Sequence, residues 1–131
     1  MPQFSPASLA KLATCDSRLR AIFEKVVSSA DCTILEGHRD QQRQAAAVAA
    51  GASKTPWPKS KHNRLPSLAV DAAPYPIDWQ DRERMSLFAG FVLGVAFEQG
   101  VAVRWGGDWN GDFRVADNNF DDLVHFELME T

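Results

Sequence analysis

Two histidines and one aspartate in this sequence are of the residue types that hold catalytic zinc. His62 lies near the end of a proline- and lysine-rich segment, Asp71 lies inside the apolar run LAVDAA, and His125 lies in a second apolar segment. Two imidazoles and one carboxylate around a divalent cation, with water in the fourth position, form a known catalytic set. We expect Asp71 to be buried, and a buried carboxylate needs a cation or a set of hydrogen-bond donors.

Each of these residues also has a structural interpretation. A histidine in a strand is more often a hydrogen-bonded core residue. An aspartate in an apolar strand most often pairs with a backbone amide or with an arginine. Spacing alone therefore leaves both the metal site and the structural interpretation open.

Asp122 precedes His125 by three residues and is a candidate general base. A carboxylate that lies beside a zinc-activated water without ligating the metal is what a general base requires. In a straight strand this spacing would place the two side chains on opposite faces. We therefore expect Asp122 to lie on the turn that enters the last strand. The alternative is that Asp121 and Asp122 form a solvated pair in a loop.

The elements that must position these residues follow from hydrophobic periodicity and from turn signals. Four helices are predicted, and they begin near Ser5, Asp16, Asp40 and the pair Asp78 and Asp81. Four strands are predicted at residues 32–35, 67–73, 101–105 and 123–129. This order predicts an α+β fold, a small single domain in which an antiparallel sheet packs against helices and the zinc site lies at the sheet face.

Residues 51–66 form the longest predicted loop. The segment holds three prolines, three lysines and an arginine, a composition that suits neither a helix nor the interior of a sheet. Loops of this length in compact domains are usually functional or disordered, and Trp57 within the segment favours a functional loop.

Composition limits the classes of protein. The 131 residues carry 14 Lys+Arg against 17 Asp+Glu without a basic run, which argues against a nucleic-acid partner. No apolar stretch is long enough for a signal peptide or a membrane span, so we expect synthesis in the cytoplasm. Cys15 and Cys32 match no metal-binding spacing, and two reduced thiols are favoured over a disulfide.

Four segments together resemble a family of zinc peptidases. They are EGHRDQQRQ at residues 36–44, SKHNRLPSLAVD at residues 60–71, WGGDW at residues 105–109 and DLVHFE at residues 122–127. The family includes D-Ala-D-Ala carboxypeptidases and bacteriophage L-alanyl-D-glutamate endolysins, and the sequence is most similar to the small phage endolysins. The resemblance extends from about Glu36 to the C-terminus.

The resemblance implies a role for each matching residue. It implies three Zn²⁺ ligands, which are His62, Asp71 and His125. It implies Asp122 as the catalytic base and Arg39 as the group that stabilises the developing oxyanion, since a fixed guanidinium donates hydrogen bonds to charge that forms in the transition state. An ion pair of Arg39 with Glu36 or Asp40 is the structural alternative.

Further residues near these motifs receive weaker assignments. Ser60 is expected to contact the substrate and Trp109 to shape the wall of the cleft, whereas Trp105 is expected in the core. Glu127 is interpreted as a neighbour that orients a ligating histidine rather than as a ligand. His38 has no counterpart in the family pattern and is interpreted as a surface residue or a neighbour of the site.

The spacing of the first two ligands departs from the family pattern. The family more commonly shows S-x-H-x-x-G-x-A-x-D, with its histidine and aspartate seven apart, whereas His62 and Asp71 are nine apart with no glycine between them. A loop can absorb two residues before a strand, so we expect the ligand pair to persist and the shape of the cleft to change.

The resemblance implies hydrolysis of the peptidoglycan stem peptide at the amide between L-Ala and D-Glu. We expect a monomeric endolysin whose residues 1–131 form a single catalytic domain without a separate wall-binding domain. The family implies synthesis in the host cytoplasm without a signal peptide and action on the wall in the periplasm after release through a phage-made pore. Two alternatives stay open, a D,D-carboxypeptidase or dipeptidase acting on terminal D-Ala and a non-catalytic zinc-binding module.

Overall fold

Helices and strands alternate along the chain in the computed structural model, which describes residues 2–115 and 122–129. The helices are α1 (Pro6–Leu12), α2 (Ser17–Val27), α3 (Gln41–Ala49) and α4 (Arg82–Glu98), and a 3₁₀ turn covers Lys61–Asn63. The strands are β1 (Cys32–Glu36), β2 (Ala69–Pro74), β3 (Val103–Gly106) and β4 (Asp122–Leu128). The predicted α+β class is confirmed.

The four strands form one antiparallel sheet in the order β1-β2-β4-β3. Side chains alternate between the two faces of a strand. Val70 and Phe126 are paired and point into the core, so the next pair, Asp71 and His125, points to the opposite face. The sheet thus separates an apolar core from a polar face, which confirms that the candidate site lies at a sheet face.

The core lies between the sheet and two helices. Helix α4 packs on β2, β3 and β4, and α2 packs on α4. The rings of Phe23 and Phe88 meet Phe126 edge-on, at centroid distances of 5.6 and 6.3 Å. Trp105 is buried beside them, as expected, and its indole N–H donates to the Leu123 carbonyl at 2.8 Å.

The predicted helix starts are confirmed by their caps. In each case a side-chain oxygen accepts a hydrogen bond from a backbone N–H of the first turn. The capping residues are Ser5, Asp16, Asp40 and Asp81.

Two predicted strands begin later than expected. Residues 67 and 68 do not belong to β2, because the Ser67 backbone bonds to Thr14 and Asp16 instead of to a strand. Residues 101 and 102 do not belong to β3, because the Val101 N–H donates to the Ala96 carbonyl and ends α4 at a glycine of positive φ, Gly100. The 3₁₀ turn within the predicted loop was also unexpected.

Cys15 and Cys32 are buried and free, which confirms the prediction of two thiols. Burial raises the pKa of each thiol to about 12. None of the helices within the described ranges is long and apolar enough to cross a membrane.

Candidate active site

The three predicted ligands meet in a small triangle on the polar face of the sheet. His62 Nε2 lies 3.1 Å from Asp71 Oδ1 and 3.2 Å from His125 Nδ1. His125 Nδ1 lies 3.2 Å from the same Asp71 oxygen. All three residues are buried. The metal site and the structural roles considered for the histidines and for Asp71 are therefore alternatives for the same cluster.

The triangle has the dimensions of a cation site. Zinc ligands at roughly 2.0–2.2 Å in tetrahedral geometry are separated from each other by about 3.3 Å, which is close to the three distances observed. The donor set of two imidazoles and one carboxylate suits zinc and related divalent metals. These residues therefore could hold a metal ion.

Both imidazoles are oriented through the nitrogen that faces away from the triangle. His62 Nδ1 lies 2.8 Å from the Gly37 carbonyl, and His125 Nε2 lies 2.8 Å from Glu127 Oε1. A histidine that donates its other N–H to a carbonyl or carboxylate presents a fixed lone pair to a metal. The position of Glu127 agrees with its interpretation as an orienting neighbour.

Electrostatics at the triangle favour positive charge. Burial alone would raise the pKa of Asp71, but His62 and His125 hold it well below its ordinary value. Burial lowers the pKa of His125, but hydrogen bonds to Asp71 and Glu127 outweigh it and raise the pKa to about 9. Burial also opposes ionisation of Glu127, yet His125 and Arg104 lower its pKa to about 2. The carboxylates of Asp71 and Glu127, which stabilise a proton on His125, also favour a divalent cation at the triangle.

Asp122 is the first residue of β4, and the expectation that it lies on the turn before the strand is wrong. Gly106 pairs with Asp122 while the adjacent Trp105 pairs with Phe126, so the register shifts between these two positions. With this irregularity in the pairing, Asp122 and His125 line the same cavity. Asn118 to Asp121, which were expected to form that turn, lie outside the described residues.

The environment of Asp122 raises its pKa. Burial is the main cause, and the negative charge of Asp71 adds to it, while His125, His62 and Arg39 act in the opposite direction. A carboxylate with a raised pKa is a stronger base than a carboxylate with the ordinary pKa of an exposed aspartate.

Arg39 is buried at the edge of the triangle and is held on three sides. Its Nη2 lies 3.6 Å from Asp71 Oδ2, its Nε lies 3.4 Å from Glu36 Oε2, and its Nη1 donates to Gln44 Oε1 at 2.9 Å. Asn63 donates to the Arg39 carbonyl at 3.0 Å and to the same Gln44 oxygen at 3.1 Å. The ion pair with Glu36, which was the structural alternative, is therefore present. Arg39 also lines the cavity.

Ser60 and Trp109, the two predicted substrate contacts, both line the cavity. Ser60 Oγ accepts a hydrogen bond from the His62 N–H, and Ser60 forms a capping box with Asn63 that fixes the 3₁₀ turn. The ring centroid of Trp109 lies 5.5 Å from that of His125. Both roles toward substrate stay predictions. Outside this cluster, His38 Nδ1 lies 2.9 Å from the Arg64 carbonyl.

Three residues around the site received no individual role from the sequence. Gln44 is completely buried, and it binds Ser53 Oγ at 3.0 Å as well as Arg39. Lys61 and Arg104 both contact Glu127. A single glutamine inside an alanine-rich helix is a weak signal, and the contact of Lys61 with Glu127 joins positions too distant in sequence for spacing to indicate it.

Comparison with known proteins gives three matches that agree with one another. A family model for phage L-alanyl-D-glutamate peptidases matches residues 1–129. The L-alanyl-D-glutamate peptidase of Escherichia phage T5 is 36% identical over 124 residues, which cover 85% of this chain and 85% of that protein. The crystal structure of the Serratia marcescens L-Ala D-Glu endopeptidase ChiX superposes with a TM-score of 0.74 at 27% identity, covering 96% of this chain and 90% of that chain.

Proposed function

Because the chain belongs to the phage L-alanyl-D-glutamate peptidase family, we propose that it is a zinc-dependent endolysin that cleaves the amide between L-Ala and D-Glu in the peptidoglycan stem peptide. The observation that carries the proposal is the buried triangle of His62, Asp71 and His125, whose two histidines line one cavity together with Asp122. The proposal includes a monomeric single domain that is made in the host cytoplasm and acts on the wall in the periplasm after pore-mediated release.

The proposed metal ligands are the three residues of the triangle. When bound there, Zn²⁺ supplies Lewis-acid activation of water and of the scissile carbonyl. The imidazoles of His62 and His125 keep their orientation through the Gly37 carbonyl and Glu127.

Two residues near the triangle are assigned the other steps of the reaction. Asp122 handles proton transfer, and Arg39 stabilises the negative charge that develops on the carbonyl oxygen. Asp122 accepts the proton of the attacking water and transfers it to the leaving amine of D-Glu. Arg39 donates hydrogen bonds to the carbonyl oxygen as negative charge develops on it, because only some of its five N–H groups are used by Glu36 and Gln44. The Arg39 side chain is held in place by its contacts with Glu36 and Gln44.

Substitution of Asp122 separates catalysis from metal binding. We expect Asp122→Ala to bind zinc like the wild type and to lose hydrolysis by about 10²- to 10⁴-fold, the usual contribution of a general base. We expect His125→Ala to lose both zinc and hydrolysis. Zinc content is measured after dialysis, and products from diaminopimelate-type peptidoglycan are identified by mass spectrometry. Asp31→Ala, at an exposed aspartate remote from the cavity, is the matched control.

The products distinguish the proposal from its alternatives. New N-terminal D-Glu, lost with a chelator and restored by zinc, supports the endopeptidase. Release of terminal D-Ala would instead identify a carboxypeptidase, and a complete absence of metal-dependent products would favour a non-catalytic module. Full activity of Asp122→Ala would show that another group is the base.

A further inference from the structure

A buried glutamine lies directly behind the surface of the cleft. Gln44 is on α3 and is completely buried. Three of its hydrogen-bond partners, Arg39, Ser53 and Thr55, are among the described residues that line the cavity, whereas Gln44 is not. Any effect of Gln44 on a bound substrate must therefore pass through the residues that it holds.

Every hydrogen-bonding position of the Gln44 amide is used. Its carbonyl oxygen accepts from Arg39 Nη1 at 2.9 Å and from Asn63 Nδ2 at 3.1 Å. Its nitrogen donates to Ser53 Oγ at 3.0 Å and to the Thr55 carbonyl. A side-chain amide offers two acceptor positions and two N–H groups, so all four have a partner. A buried polar network that is fully satisfied in this way is rigid.

The chemistry of these partners determines which way the amide points. A guanidinium only donates hydrogen bonds, and a backbone carbonyl only accepts them. The oxygen of Gln44 must therefore face Arg39, and its nitrogen must face Thr55. An ionised glutamate would lack the donor for Thr55, and an apolar side chain would lack both groups. Glutamine is thus suited to join the cleft wall on one side to the arginine on the other.

The backbone of Arg39 is anchored independently of Gln44. Its N–H donates to the His62 carbonyl at 2.7 Å, and its carbonyl accepts from Asn63 Nδ2 at 3.0 Å. These bonds attach the Arg39 backbone to the 3₁₀ turn that carries one of the candidate metal ligands. Loss of the Gln44 side chain should therefore leave this backbone and the ligand in place.

The guanidinium of Arg39, in contrast, depends on Gln44. It lies 3.4 Å from the Glu36 carboxylate and 3.6 Å from the Asp71 carboxylate, but 2.9 Å from Gln44 Oε1. Of these three contacts, only the one with Gln44 falls within the usual range of an N–H···O hydrogen bond, about 2.7–3.2 Å. Gln44 therefore sets the position of the guanidinium more tightly than either carboxylate does.

We propose that Gln44 is a positioning residue that couples the cleft wall at residues 53–55 to Arg39. The wall holds Gln44, and Gln44 holds the guanidinium where negative charge develops on the substrate. This role rests on the proposed function, in which Arg39 stabilises that charge. The loop consequently contributes to the chemical step as well as forming one side of the cleft.

Replacement of Gln44 by methionine removes the amide while keeping an unbranched side chain of similar helix propensity. We expect Gln44→Met to lower kcat on an L-Ala–D-Glu stem peptide by about 10- to 100-fold, since a displacement of about 1 Å can cost about 100-fold. KM should change little, because Arg39 acts on charge that is present only in the transition state. Zinc content should match the wild type. Gln42→Met, exposed on the same helix, is the control and should keep the wild-type kcat.

The same substitution in an Arg39→Ala background tests whether Gln44 acts through Arg39. Arg39→Ala should itself have a low kcat, and adding Gln44→Met should lower it no further. A glutamine with a merely structural role would lower kcat by a similar factor in both backgrounds. Equal factors, or a wild-type kcat in the single variant Gln44→Met, would overturn the proposal.

A milder substitution tests the contribution of the cleft wall. Ser53→Ala removes one acceptor of the Gln44 amide and leaves the Thr55 carbonyl as the other. We expect kcat to fall about two- to tenfold, as for the loss of one neutral hydrogen bond, with KM unchanged and with no further loss in the Arg39→Ala background. A higher KM at unchanged kcat would show that Ser53 binds the substrate directly, and it would overturn the coupling.

Magnetic resonance of the Arg39 guanidinium separates failure of this proposal from failure of the proposed reaction. A hydrogen bond from one guanidinium nitrogen slows rotation about its C–N bond, so the hydrogens on that nitrogen give separate signals. We expect separate Arg39 Nη1 signals in the wild type and averaged signals in Gln44→Met, with Arg39→Ala providing the assignment. Averaged signals in the wild type would overturn the positioning role. If the signals depend on Gln44 but the wild type cleaves no stem peptide, the proposed reaction is wrong and the positioning of Arg39 stands.

Discussion

Glu127 links the candidate metal site to two cations. One of its carboxylate oxygens accepts a hydrogen bond from His125 Nε2 at 2.8 Å, and the other lies 2.7 Å from Arg104 and 3.2 Å from Lys61. The two cations fix the carboxylate, and the carboxylate fixes the imidazole. Glu127 is therefore placed to orient the His125 imidazole toward a cation bound at the triangle.

Removal of this carboxylate should weaken metal binding. We expect Glu127→Ala to lower zinc affinity by about 10- to 100-fold, the usual effect of losing a group that orients a ligand. Glu127→Gln keeps an acceptor oxygen and should lie between the wild type and alanine. Competition with a chromogenic chelator measures the affinity, and Glu98→Ala, at an exposed position at the end of α4, is the control. Unchanged affinity in the alanine variant would show that His125 is oriented without Glu127.

The types of the site residues were predictable from the sequence, but several of their contacts were not. Asp71 lies in an apolar run, and its burial was expected from that run alone. Glu127 follows His125 by two residues, which places both on one strand face. Gln44 and Lys61 reach the site through tertiary contacts, with Lys61 meeting a carbonyl 67 positions away at Leu128. No local pattern encodes such a contact.

The pairing of β3 with β4 determines where Asp122 lies. The register shifts between Trp105 and Gly106, and at that point the backbones approach closely. A Cβ added at Gly106 would lie 2.2 Å from the Asp122 carbonyl oxygen, a distance that requires the backbone to move. Glycine is therefore required at position 106 for the observed placement of the candidate base.

Gly106→Ala should displace Asp122 while the ligand triangle remains on β2 and β4. Overpacking against backbone costs about 1–3 kcal/mol, so we expect a loss of stability of that size together with a large loss of hydrolysis. Denaturant unfolding and peptidoglycan assays measure the two effects. The control is Gly94→Ala in α4, where an added Cβ meets nothing within 4 Å and helix propensity predicts stabilisation by up to about 1 kcal/mol. Wild-type activity of Gly106→Ala would mean that the close approach does not position Asp122.

Helix starts were easier to predict than strand boundaries. A cap is a local signal, since Asp16 and Asp40 bond to N–H groups two or three residues away. A strand extends only as far as it pairs with a neighbouring strand. Its boundary therefore depends on residues that are distant in sequence. Ser67 was predicted to be the first residue of β2. Its backbone groups instead form hydrogen bonds with the backbone of Thr14 and Asp16. The register shift that brings Asp122 to the cavity is nonlocal for the same reason.

The candidate metal site joins parts of the chain that are far apart in sequence. His62 lies in the 3₁₀ turn, Asp71 in β2 and His125 in β4, and the two histidines are 63 positions apart. In the unfolded chain these side chains are separated, so a cation that needs all three binds the native state selectively. Binding of a metal at these three residues would therefore be coupled to folding of the domain.

Zinc should consequently raise the unfolding temperature, and the size of the effect can be estimated. A ligand at 1,000 times its Kd stabilises the native state by about 4.1 kcal/mol, which for a domain of this size corresponds to roughly 15 °C in Tm. We expect this shift in calorimetry of the wild type and of Asp122→Ala, since Asp122 is not a ligand. We expect no shift in His125→Ala. Magnesium should produce little stabilisation in any variant, because it prefers octahedral oxygen ligands to a site with two imidazoles. An equal zinc shift in His125→Ala would place the stabilising cation elsewhere on the protein.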